Sequence, residues 1–559
     1  MNRTCKQCAA AFEITQDDLG FYEKVSPVFN GKKELIPPPT LCPECCSQQR
    51  FTWRNERSLY HRSCALCEKP VISIYHEDST PPVYCLDCWW GDRWNAITYG
   101  ISPTPTISFM QQFSLLSTAV PRPILQVLNG QNSDYTNFSR DGKDCYLCFS
   151  IVHCEHCLYV THTDESQDCT DCEGDERCEL CYECNNCIGC YALTHSARCE
   201  NCSDSSFLYD CNDCQHCFLS SNLRNKQYVF KNKQLTPQEF EQQIRTVALN
   251  TTTGTERAQN LYKNVLRSAI HHPFITHCES CTGDVLNNCK NCRECFDCSS
   301  GEDSVRCYRS PPTFRDCRES YGVYGGSELC MEICNGKNVH RTIVAIQCQN
   351  TDECLYCLHC HSSKKLFGCI GLRNKQFCIL NKQYTKEEYE ALVPQAIAKM
   401  REDGEWGEFF PVSMSPFAYN ETCAQEYFQL TKEEVIEQGW KWRDQTDEMP
   451  RVDRVISAMQ LPDSIDDIPD DILNWAIECD ATKRPFKIIK QELDFYRKMR
   501  LPIPHLHPDE RYRRRMLLKN PRKLWKRNCS KCQKVIETTY APDRPEIVYC
   551  EECYLKEVY

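Results

Sequence analysis

The chain has 559 residues, of which 47 are cysteine, and a formal net charge of −12. Its length exceeds the size at which one hydrophobic core stops growing, so several domains are expected. No run of 18 apolar residues occurs and no apolar signal segment follows Met1, so we expect a cytoplasmic protein with no membrane-spanning helix, whose cysteines are thiols or zinc thiolates rather than disulfides.

Residues 1–92 are predicted to form a module with two zinc sites. The predicted ligands are Cys5, Cys8, Cys42 and Cys45 in one set, and Cys64, Cys67, Cys85 and Cys88 in the other. Two CxxC turns in each set can present four thiolates in the tetrahedron that zinc prefers. The long spacer of the first set leaves room for a helix such as Gln16 to Lys24, which is typical of a treble clef, whereas the second set is typical of a zinc ribbon. Because protein would fill all four positions, we expect structural and not catalytic sites.

Residues 93–144 are predicted as a linker, and residues 145–245 as a first cysteine-rich repeat. Sixteen cysteines lie between Cys145 and Cys217, and every separation among them is a multiple of three. This is neither the helical nor the strand period. Because separations of 12 also recur, we expect short coils stacked into a narrow β-solenoid, with thiols in its tight interior and with Asn, Asp and Ser at its turns. The pattern leaves open whether a coil has 12 residues or about twice that number.

A second cysteine-rich solenoid repeat is predicted for residues 278–395, after a helical linker at 246–277. The string Leu-Arg-Asn-Lys-Gln at 223–227 recurs at 372–376, and a T-x-x-E capping box that predicts a helix follows each string. The second array drifts out of the three-residue register between Cys317 and Cys348. Residues 396–474 are predicted as a connector of mixed helix and loop, with a further capping box that begins at Thr431.

Residues 475–559 are predicted as a second copy of the N-terminal module. A constant offset of 465 superposes Cys529, Cys532, Cys550 and Cys553 on the ribbon cysteines of the first copy. Where the first copy has its other Cys₄ set, the second has Cys479, Thr482, His507 and Glu510. We therefore expect one intact zinc ribbon in this copy and about three zinc ions in the chain.

A basic stretch lies at residues 497–527, with twelve lysines or arginines against only Asp509 and Glu510. Such cations can neutralise phosphates, while Tyr512 and Trp525 can stack on unpaired bases. The predicted nucleic-acid-binding residues are Arg511, Arg513, Arg514, Arg515, Lys519, Arg522, Lys523, Lys526 and Arg527. The alternatives are a solvated helix face and a surface that docks onto the acidic arrays of the same chain.

The chain resembles the multi-zinc-ribbon proteins of candidate-phyla-radiation (Patescibacteria) bacteria. The resemblance is carried by Arg54-Asn-Glu-Arg57 with Leu59-Tyr60, Cys88-Trp-Trp90, the two Leu-Arg-Asn-Lys-Gln strings and Pro521-Arg-Lys-Leu-Trp525. It spans nearly the whole length and implies zinc modules, but no particular activity. The chain departs from the family pattern at Cys479 and Thr482, where a paired CxxC is expected, so the resemblance implies no metal at 479–510.

The predicted fold class is α+β and multi-domain, with small treble-clef and zinc-ribbon modules at both ends of a duplicated cysteine-rich β-solenoid. The predicted function is a zinc-binding scaffold that binds RNA, DNA or a protein assembly, and no membrane. No Walker loop, G-x-S-x-G, H-E-x-x-H or Rossmann fingerprint occurs in a fitting context, so no enzyme is predicted. Metal storage or delivery through the arrays and thiol redox chemistry are the alternatives, although most array cysteines are expected to pack.

Overall fold

The computed structural model describes residues 1–171, 182, 189–268, 270–271, 273–444 and 450–559. Five of the sixteen cysteines counted between Cys145 and Cys217, at positions 172, 178, 181, 184 and 187, lie outside these residues. The chain divides into two compact units, one of Met1–Leu125, Pro273–Arg443 and Arg522–Leu524, and one of Gln126–His272, Asp444–Pro521 and Trp525–Tyr559. The first unit therefore joins the N-terminal module to the second cysteine array, and the second unit joins most of the C-terminal module to the first array. In the described part of the chain, no helix combines the length and the apolarity that a bilayer crossing requires.

Both arrays form β-solenoids, as the three-residue period predicts. In the first array a residue with positive φ recurs at every third position, as at Asp141, Asp144, Leu147 and Ser150, with φ between 51° and 57°. Asp and Asn tolerate this left-handed conformation because their short side chains form local hydrogen bonds. Four such residues in each coil turn the chain four times and keep the strands short. Phe149 pairs in parallel with Thr161, so a coil has 12 residues and not twice that number.

Main-chain hydrogen bonds join each coil to the coils before and after it. The Lys143 N–H donates to the Cys154 carbonyl at 2.9 Å, and the Asp144 N–H donates to the Gln131 carbonyl at 2.9 Å. The first of these bonds recurs three residues later, where the Tyr146 N–H donates to the Cys157 carbonyl at 3.0 Å. The ladder therefore satisfies the polar backbone groups of coils whose strands are short.

The first solenoid starts upstream of Cys145. Its ladder already pairs Val127 with Ser139, within the stretch predicted as a linker. The interior of these opening coils contains buried Ser133 and Thr136 in place of cysteine. Cysteine spacing therefore marks where the interior residue is a thiol, and not where the first coil begins.

The second unit contains this solenoid, two helices after it and the C-terminal module. The solenoid strands are Val127–Leu128, Ser139–Arg140, Phe149–Val152, Thr161–Asp164, Tyr191–Thr194, Ser203–Tyr209, Gln215–Ser221, Gln227–Phe230 and Lys233–Gln234. The helices Pro237–Val247 and Thr252–Val265 follow, and the predicted capping box of Thr236 and Glu239 begins the first of them. The other elements are strands Ile270–His271, Arg454–Ser457, Trp475–Glu478, Pro485–Phe486, Trp525–Asn528, Val535–Thr538 and Val548–Tyr549, 3-10 turns Ala458–Gln460, Ile465–Asp467 and Asp470–Asn474, and helices Lys490–Met499, Pro508–Leu518 and Glu551–Val558.

The second solenoid contains coils of unequal length. Val305 pairs with Arg318, 13 positions on, whereas Met331 pairs with Ile343, 12 positions on. Each longer coil inserts one residue and shifts all later cysteines by one position. This insertion is the physical cause of the register drift that the sequence shows between Cys317 and Cys348.

The first unit contains the N-terminal module, this second solenoid and the segment after it. The solenoid strands are Ile275–Thr276, Gly283–Asn287, Cys295–Ser299, Gly301–Glu302, Val305–Tyr308, Phe314–Tyr324, Ser327–His340, Ile343–Leu358, His361–Phe367, Gln376–Ile379 and Lys382–Gln383. The helices after them are Lys386–Glu402, Cys423–Tyr427 and Lys432–Glu437, with 3-10 turns Val412–Met414 and Tyr419–Glu421. The predicted capping boxes at Thr385 and Thr431 begin two of these helices.

The N-terminal module is a chain of small hairpins and short helices. Its strands are Asn2–Thr4, Ala11–Glu13, Val28–Phe29, Lys32–Lys33, Tyr60–Ser63, Pro70–Ser73 and Val83–Tyr84, and its helices are Gln16–Val25, Pro43–Phe51 and Leu86–Trp90. The stretch predicted as a linker follows the module with a 3-10 turn at Ala96–Tyr99, helix Phe109–Ala119 and strand Arg122–Pro123, which pairs with Val83–Tyr84. Helix Gln16–Val25 lies in the spacer of the first Cys₄ set, where the sequence analysis expects it.

Candidate metal centres and the contacts around them

Three groups of four cysteines bring their sulfur atoms within 4.8 Å of one another. The groups are Cys5, Cys8, Cys42 and Cys45; Cys64, Cys67, Cys85 and Cys88; and Cys529, Cys532, Cys550 and Cys553. One Sγ–Sγ distance between the two CxxC turns is 3.7 Å in the first group, 3.8 Å in the second and 3.6 Å in the third. Four thiolates at about 2.3 Å from zinc lie about 3.8 Å apart. The twelve predicted ligands therefore have the spacing of tetrahedral metal sites.

Local backbone geometry prepares one thiolate in each group. The N–H of Cys42 donates to the Cys5 sulfur at 3.2 Å, and the N–H of Cys85 donates to the Cys64 sulfur at 3.2 Å. Burial opposes the ionisation of Cys5 and Cys64, but these and neighbouring main-chain N–H groups lower the pKa of each thiol to about 6. In the third group Cys529 has the same contact and a pKa of about 6. Such thiols ionise readily and bind soft metals.

A helix N-terminus lies at the second CxxC turn of each group, although burial and the neighbouring thiols raise the pKa of Cys42 to about 11. Cys42, Cys85 and Cys550 are the N-cap residues of the helices Pro43–Phe51, Leu86–Trp90 and Glu551–Val558. The partial positive charge of a helix N-terminus stabilises a thiolate there. The second CxxC turn of each group is therefore a helix start as well as a ligand pair.

The metal groups lie near the surface. Three of the four cysteines in each group are buried, and the exposed ones are Cys8, Cys67 and Cys532. Four sulfur ligands in a tetrahedral arrangement favour zinc or iron–sulfur chemistry over hard cations such as Mg²⁺. All four ligand positions belong to the protein, which is the arrangement of a structural site.

The fourth set, Cys479, Thr482, His507 and Glu510, does not form a metal-ligand group in the described residues. Glu510 accepts hydrogen bonds from Arg513 at 2.7 Å, and the ring of His507 accepts from the N–H of Asp509 at 3.1 Å. Burial opposes the ionisation of Cys479, yet main-chain N–H groups of His507 and Thr482 lower its pKa. The main-chain hydrogen bonds to the Cys479 sulfur are therefore retained. His507 and Glu510, at two of the four ligand positions, form hydrogen bonds with other residues instead.

The interior cysteines of the solenoids act as hydrogen-bonding groups of the ladder. The Cys148 thiol is buried, donates to the carbonyl of Cys157 at 3.2 Å and accepts from the N–H of Val160. The Ser133 hydroxyl has a similar arrangement, because it donates to the Gln131 carbonyl at 2.7 Å, lies 3.4 Å from the Gly142 carbonyl and accepts from the Cys145 N–H at 3.1 Å. A thiol and a hydroxyl therefore have the same role here. Each forms hydrogen bonds with main-chain N–H and carbonyl groups of the narrow coil.

Burial keeps most of these thiols protonated. It raises the pKa of Cys148, Cys317 and Cys369 well above the ordinary value. Cys360 differs, because hydrogen bonds from Cys348 and Cys357 lower its pKa despite burial, and hydrogen bonds from neighbouring thiols also lower the pKa values of Cys145 and Cys214. A protonated thiol is a poor nucleophile and a poor metal ligand, and no array cysteines of the described coils form a metal-ligand group.

Three of the predicted nucleic-acid-binding arginines are buried or nearly buried in ion pairs. Arg511 and Arg515 both contact the buried carboxylate of Asp171, at 3.1 and 3.4 Å. Arg522 contacts Asp297 at 2.9 Å with one tenth of its side chain exposed. These three guanidinium groups are engaged inside their own units.

The other six predicted cations are at or near the surface. Arg513 and Arg514 share Glu510 and are more than half exposed. Lys523 pairs with Glu44 at 2.6 Å, and Arg527 donates to the Glu546 carbonyl at 2.6 Å. Lys526 is exposed and Lys519 is half-buried.

Buried arginines fasten each module to its solenoid, a role that sequence reasoning missed. The fully buried Arg50 pairs with Glu319 at 3.0 Å and with Glu332 on the second solenoid. Arg515, which the offset of 465 aligns with Arg50, pairs with Asp171 on the first solenoid. The alignment of Arg50 with Arg515 in the sequence indicates that the two residues share a role. The sequence does not indicate which acidic residues they contact.

The two Leu-Arg-Asn-Lys-Gln strings supply a second contact between solenoid and module. Arg373 of the second string lies over the rings of Trp89 and Trp90, at 5.1 and 4.7 Å from their centroids. Arg224 of the first string lies 5.8 Å from the ring of Tyr554, the residue that the same offset aligns with Trp89. In both units, the helix that carries the last metal ligands therefore meets an arginine of the solenoid through a cation–π contact.

Comparison of the chain with family models, with curated proteins and with solved structures gives no match. The Cys₄ groups and the contacts around them are therefore the observations that bear on function.

Proposed function

We propose that the protein is a non-enzymatic scaffold in which structural zinc ions hold small modules that are fastened to two β-solenoids. The observation that carries the proposal is the sulfur spacing of the three Cys₄ groups, which matches a zinc tetrathiolate. Closed four-ligand sites and protonated array thiols favour a structural role over catalysis, metal storage or thiol redox chemistry.

Zinc supplies folding free energy that these modules need. Their hairpins and helices are too short for a large core of their own, and a structural zinc ion can contribute on the order of 10–16 kcal/mol. The helix that carries the last two ligands of each ribbon also packs against the solenoid through Trp89 or Tyr554. Metal loss should therefore loosen the contact between module and solenoid.

The paired contacts support a duplicated origin. Arg50 with Arg515, and Trp89 with Tyr554, occupy corresponding positions in two modules and meet corresponding solenoids. In our proposal both modules descend from one ancestral treble-clef and zinc-ribbon unit, and the chain belongs with the multi-zinc-ribbon proteins that it resembles.

Native mass spectrometry of the freshly isolated, reduced protein tests the zinc proposal. About three zinc ions are expected, one for each Cys₄ group. Cys532→Ser should remove one ion, whereas Cys148→Ser, a change at a ladder thiol, should remove none. Many more ions, released by mild chelation without unfolding, would support metal storage instead.

The partner of the scaffold is proposed to be a protein assembly or a nucleic acid. The exposed Arg513 and Arg514 support a surface that attracts acidic groups, while the burial of Arg511, Arg515 and Arg522 reduces the cations that phosphates can reach. Salt-sensitive oligonucleotide binding that Arg513→Glu with Arg514→Glu abolishes would support the nucleic-acid version. No binding by the parent protein would exclude it.

A further inference from the structure

Among the described residues, the helix Pro508–Leu518 of the C-terminal module exposes one face to solvent. Arg513 and Arg514 are 55% and 54% exposed at their side chains, and Leu517 and Leu518 are 61% and 60% exposed. Residues four apart lie on the same side of a helix, so Arg513 adjoins Leu517 and Arg514 adjoins Leu518. Two guanidinium groups and two leucines thus form one exposed face.

The corresponding face of the N-terminal module is covered. The offset of 465 aligns these four positions with Gln48, Gln49, Thr52 and Trp53, on and directly after the helix Pro43–Phe51. Of these residues, Gln48, Thr52 and Trp53 are buried. The two helices are buried to a similar extent on their other face. Arg50 of the first helix and Arg515 of the second lie on that face, and both are buried in ion pairs.

The cover consists of residues 409–423 of the same unit. The indole N–H of Trp53 donates to the Phe410 carbonyl at 3.3 Å, and the two rings lie 5.3 Å apart. The Ser415 hydroxyl donates to the carbonyl of Thr52 at 2.7 Å. The segment thus binds the helix through aromatic packing and through hydrogen bonds to main-chain groups.

The amide side chains of the covered face also contact this segment. Gln48 donates to the hydroxyl of Tyr419 at 2.8 Å, and Gln49 donates to the carbonyl of Phe410 at 3.1 Å. In the C-terminal module these two glutamines are replaced by Arg513 and Arg514. Guanidinium groups retain the donor function and add positive charge, so they favour a cover with carboxylates.

The composition of the segment that covers the N-terminal helix indicates which kind of segment could cover the exposed face of helix Pro508–Leu518. Residues 405–422, which comprise the four residues before the cover and most of the cover itself, contain Glu405, Glu408 and Glu421, several aromatic residues and no lysine or arginine. On the open face, Glu510 accepts from both guanidiniums, at 2.7 Å from Arg513 and 2.8 Å from Arg514. It holds the two groups side by side and leaves them with a net positive charge.

We propose that the face formed by Arg513, Arg514, Leu517 and Leu518 binds an extended acidic and aromatic segment of a partner protein. The segment would lie on this helix as residues 409–423 lie on the helix of the N-terminal module. The leucines would receive its aromatic side chains, and the guanidiniums would pair with its carboxylates. This inference rests on the proposed scaffold function and specifies the partner that the scaffold holds.

The test uses the full-length, zinc-loaded protein and a fluorescein-labelled peptide with the sequence of residues 405–422. Fluorescence anisotropy should show saturable binding that weakens as salt is raised. The double variants Leu517→Asp with Leu518→Asp, and Arg513→Glu with Arg514→Glu, should each lower the affinity at least 10-fold, about 1.4 kcal/mol. Lys526→Glu removes an exposed cation of the ribbon hairpin and should leave the affinity unchanged.

Absence of saturable peptide binding by the parent protein would overturn the inference. So would double variants that both bind the peptide with the affinity of the parent protein. A single-stranded oligonucleotide that binds through the arginines but not the leucines would make the face a nucleic-acid site and would equally overturn it. A dimer that the Leu517 and Leu518 changes dissociate in sedimentation would assign the face to a second copy of the chain, with the same consequence. Zinc counted on the same samples shows that the variants are folded, and three ions without peptide binding would leave the proposed function standing.

Discussion

Replacement of Arg50 by methionine gives the sharpest test of how a module is fastened to its solenoid. Arg50 is fully buried, and its guanidinium contacts two buried carboxylates, Glu319 at 3.0 Å and Glu332. Methionine fills much of the volume but leaves Glu332 without its cation, whereas Glu319 keeps its contact with Arg306. Removing one partner of a buried ion pair costs about 3–5 kcal/mol, so we expect the first unit to lose stability of that size.

The penalty should depend on pH. Burial, partly offset by Arg50, already raises the pKa of Glu332 to about 7, and loss of the guanidinium raises it further. A buried acid with a raised folded-state pKa is destabilising when it must ionise, and this cost disappears as it is protonated. The difference between variant and parent should therefore be largest above pH 8 and shrink as the pH falls towards 6.

Hydrogen–deuterium exchange in increasing urea measures this effect in the full chain. Peptides from helix Pro43–Phe51 and strand Ser327–His340 report the opening free energy of the contact. The matched control is Lys24→Met, which removes an exposed lysine that pairs with Asp316 at 2.7 Å and should cost at most about 1 kcal/mol. If Arg50→Met and Lys24→Met had equal effects, or if the Arg50→Met penalty were independent of pH, the fastening role would be refuted.

Three further predictions follow from the second unit. Arg515→Met should destabilise less than Arg50→Met, because Asp171 keeps Arg511 at 3.1 Å; equal losses in hydrogen exchange would contradict this. Cys148→Ser should cost less than Cys148→Ala by about 1–3 kcal/mol, since only alanine leaves ladder groups without partners, and urea titration followed by exchange measures the difference. Cys532→Ser should lose one zinc ion and increase exchange in the helix Glu551–Val558, and unchanged exchange would show that the metal does not hold that helix.

Much of the architecture could be predicted because it is periodic. An interior thiol at every third position is a direct consequence of coils that turn at every third residue, so the β-solenoid could be inferred from the separations between Cys145 and Cys217. Even the drift after Cys317 corresponds to an inserted residue. The coil length stayed open because separations of 12 are compatible with one turn or with half of a longer turn; only the pairing of Phe149 with Thr161 distinguishes them.

The metal groups could also be predicted, because a CxxC turn is local. The backbone of such a turn presents both sulfurs together, and the second turn coincides with a helix start, as at Cys42 and Cys85. Pairing of the two turns then requires a hairpin in the ribbon groups, and a longer spacer with helix Gln16–Val25 in the first group. The role of the array thiols was less accessible, because CxxC spacing is the same whether a thiol binds a metal or donates to a carbonyl of the next coil.

The sequence by itself determined the repeats, the solenoid and the three Cys₄ groups, since each depends on residues close together or regularly spaced along the chain. Only the tertiary structure decided which cations are free to bind a partner. Arg511 and Arg513 are two residues apart, yet Arg511 is buried against Asp171 and Arg513 is exposed. Charge patterning measures density along the chain, whereas the availability of a charge depends on the face of the helix it occupies and on an acid more than three hundred residues away.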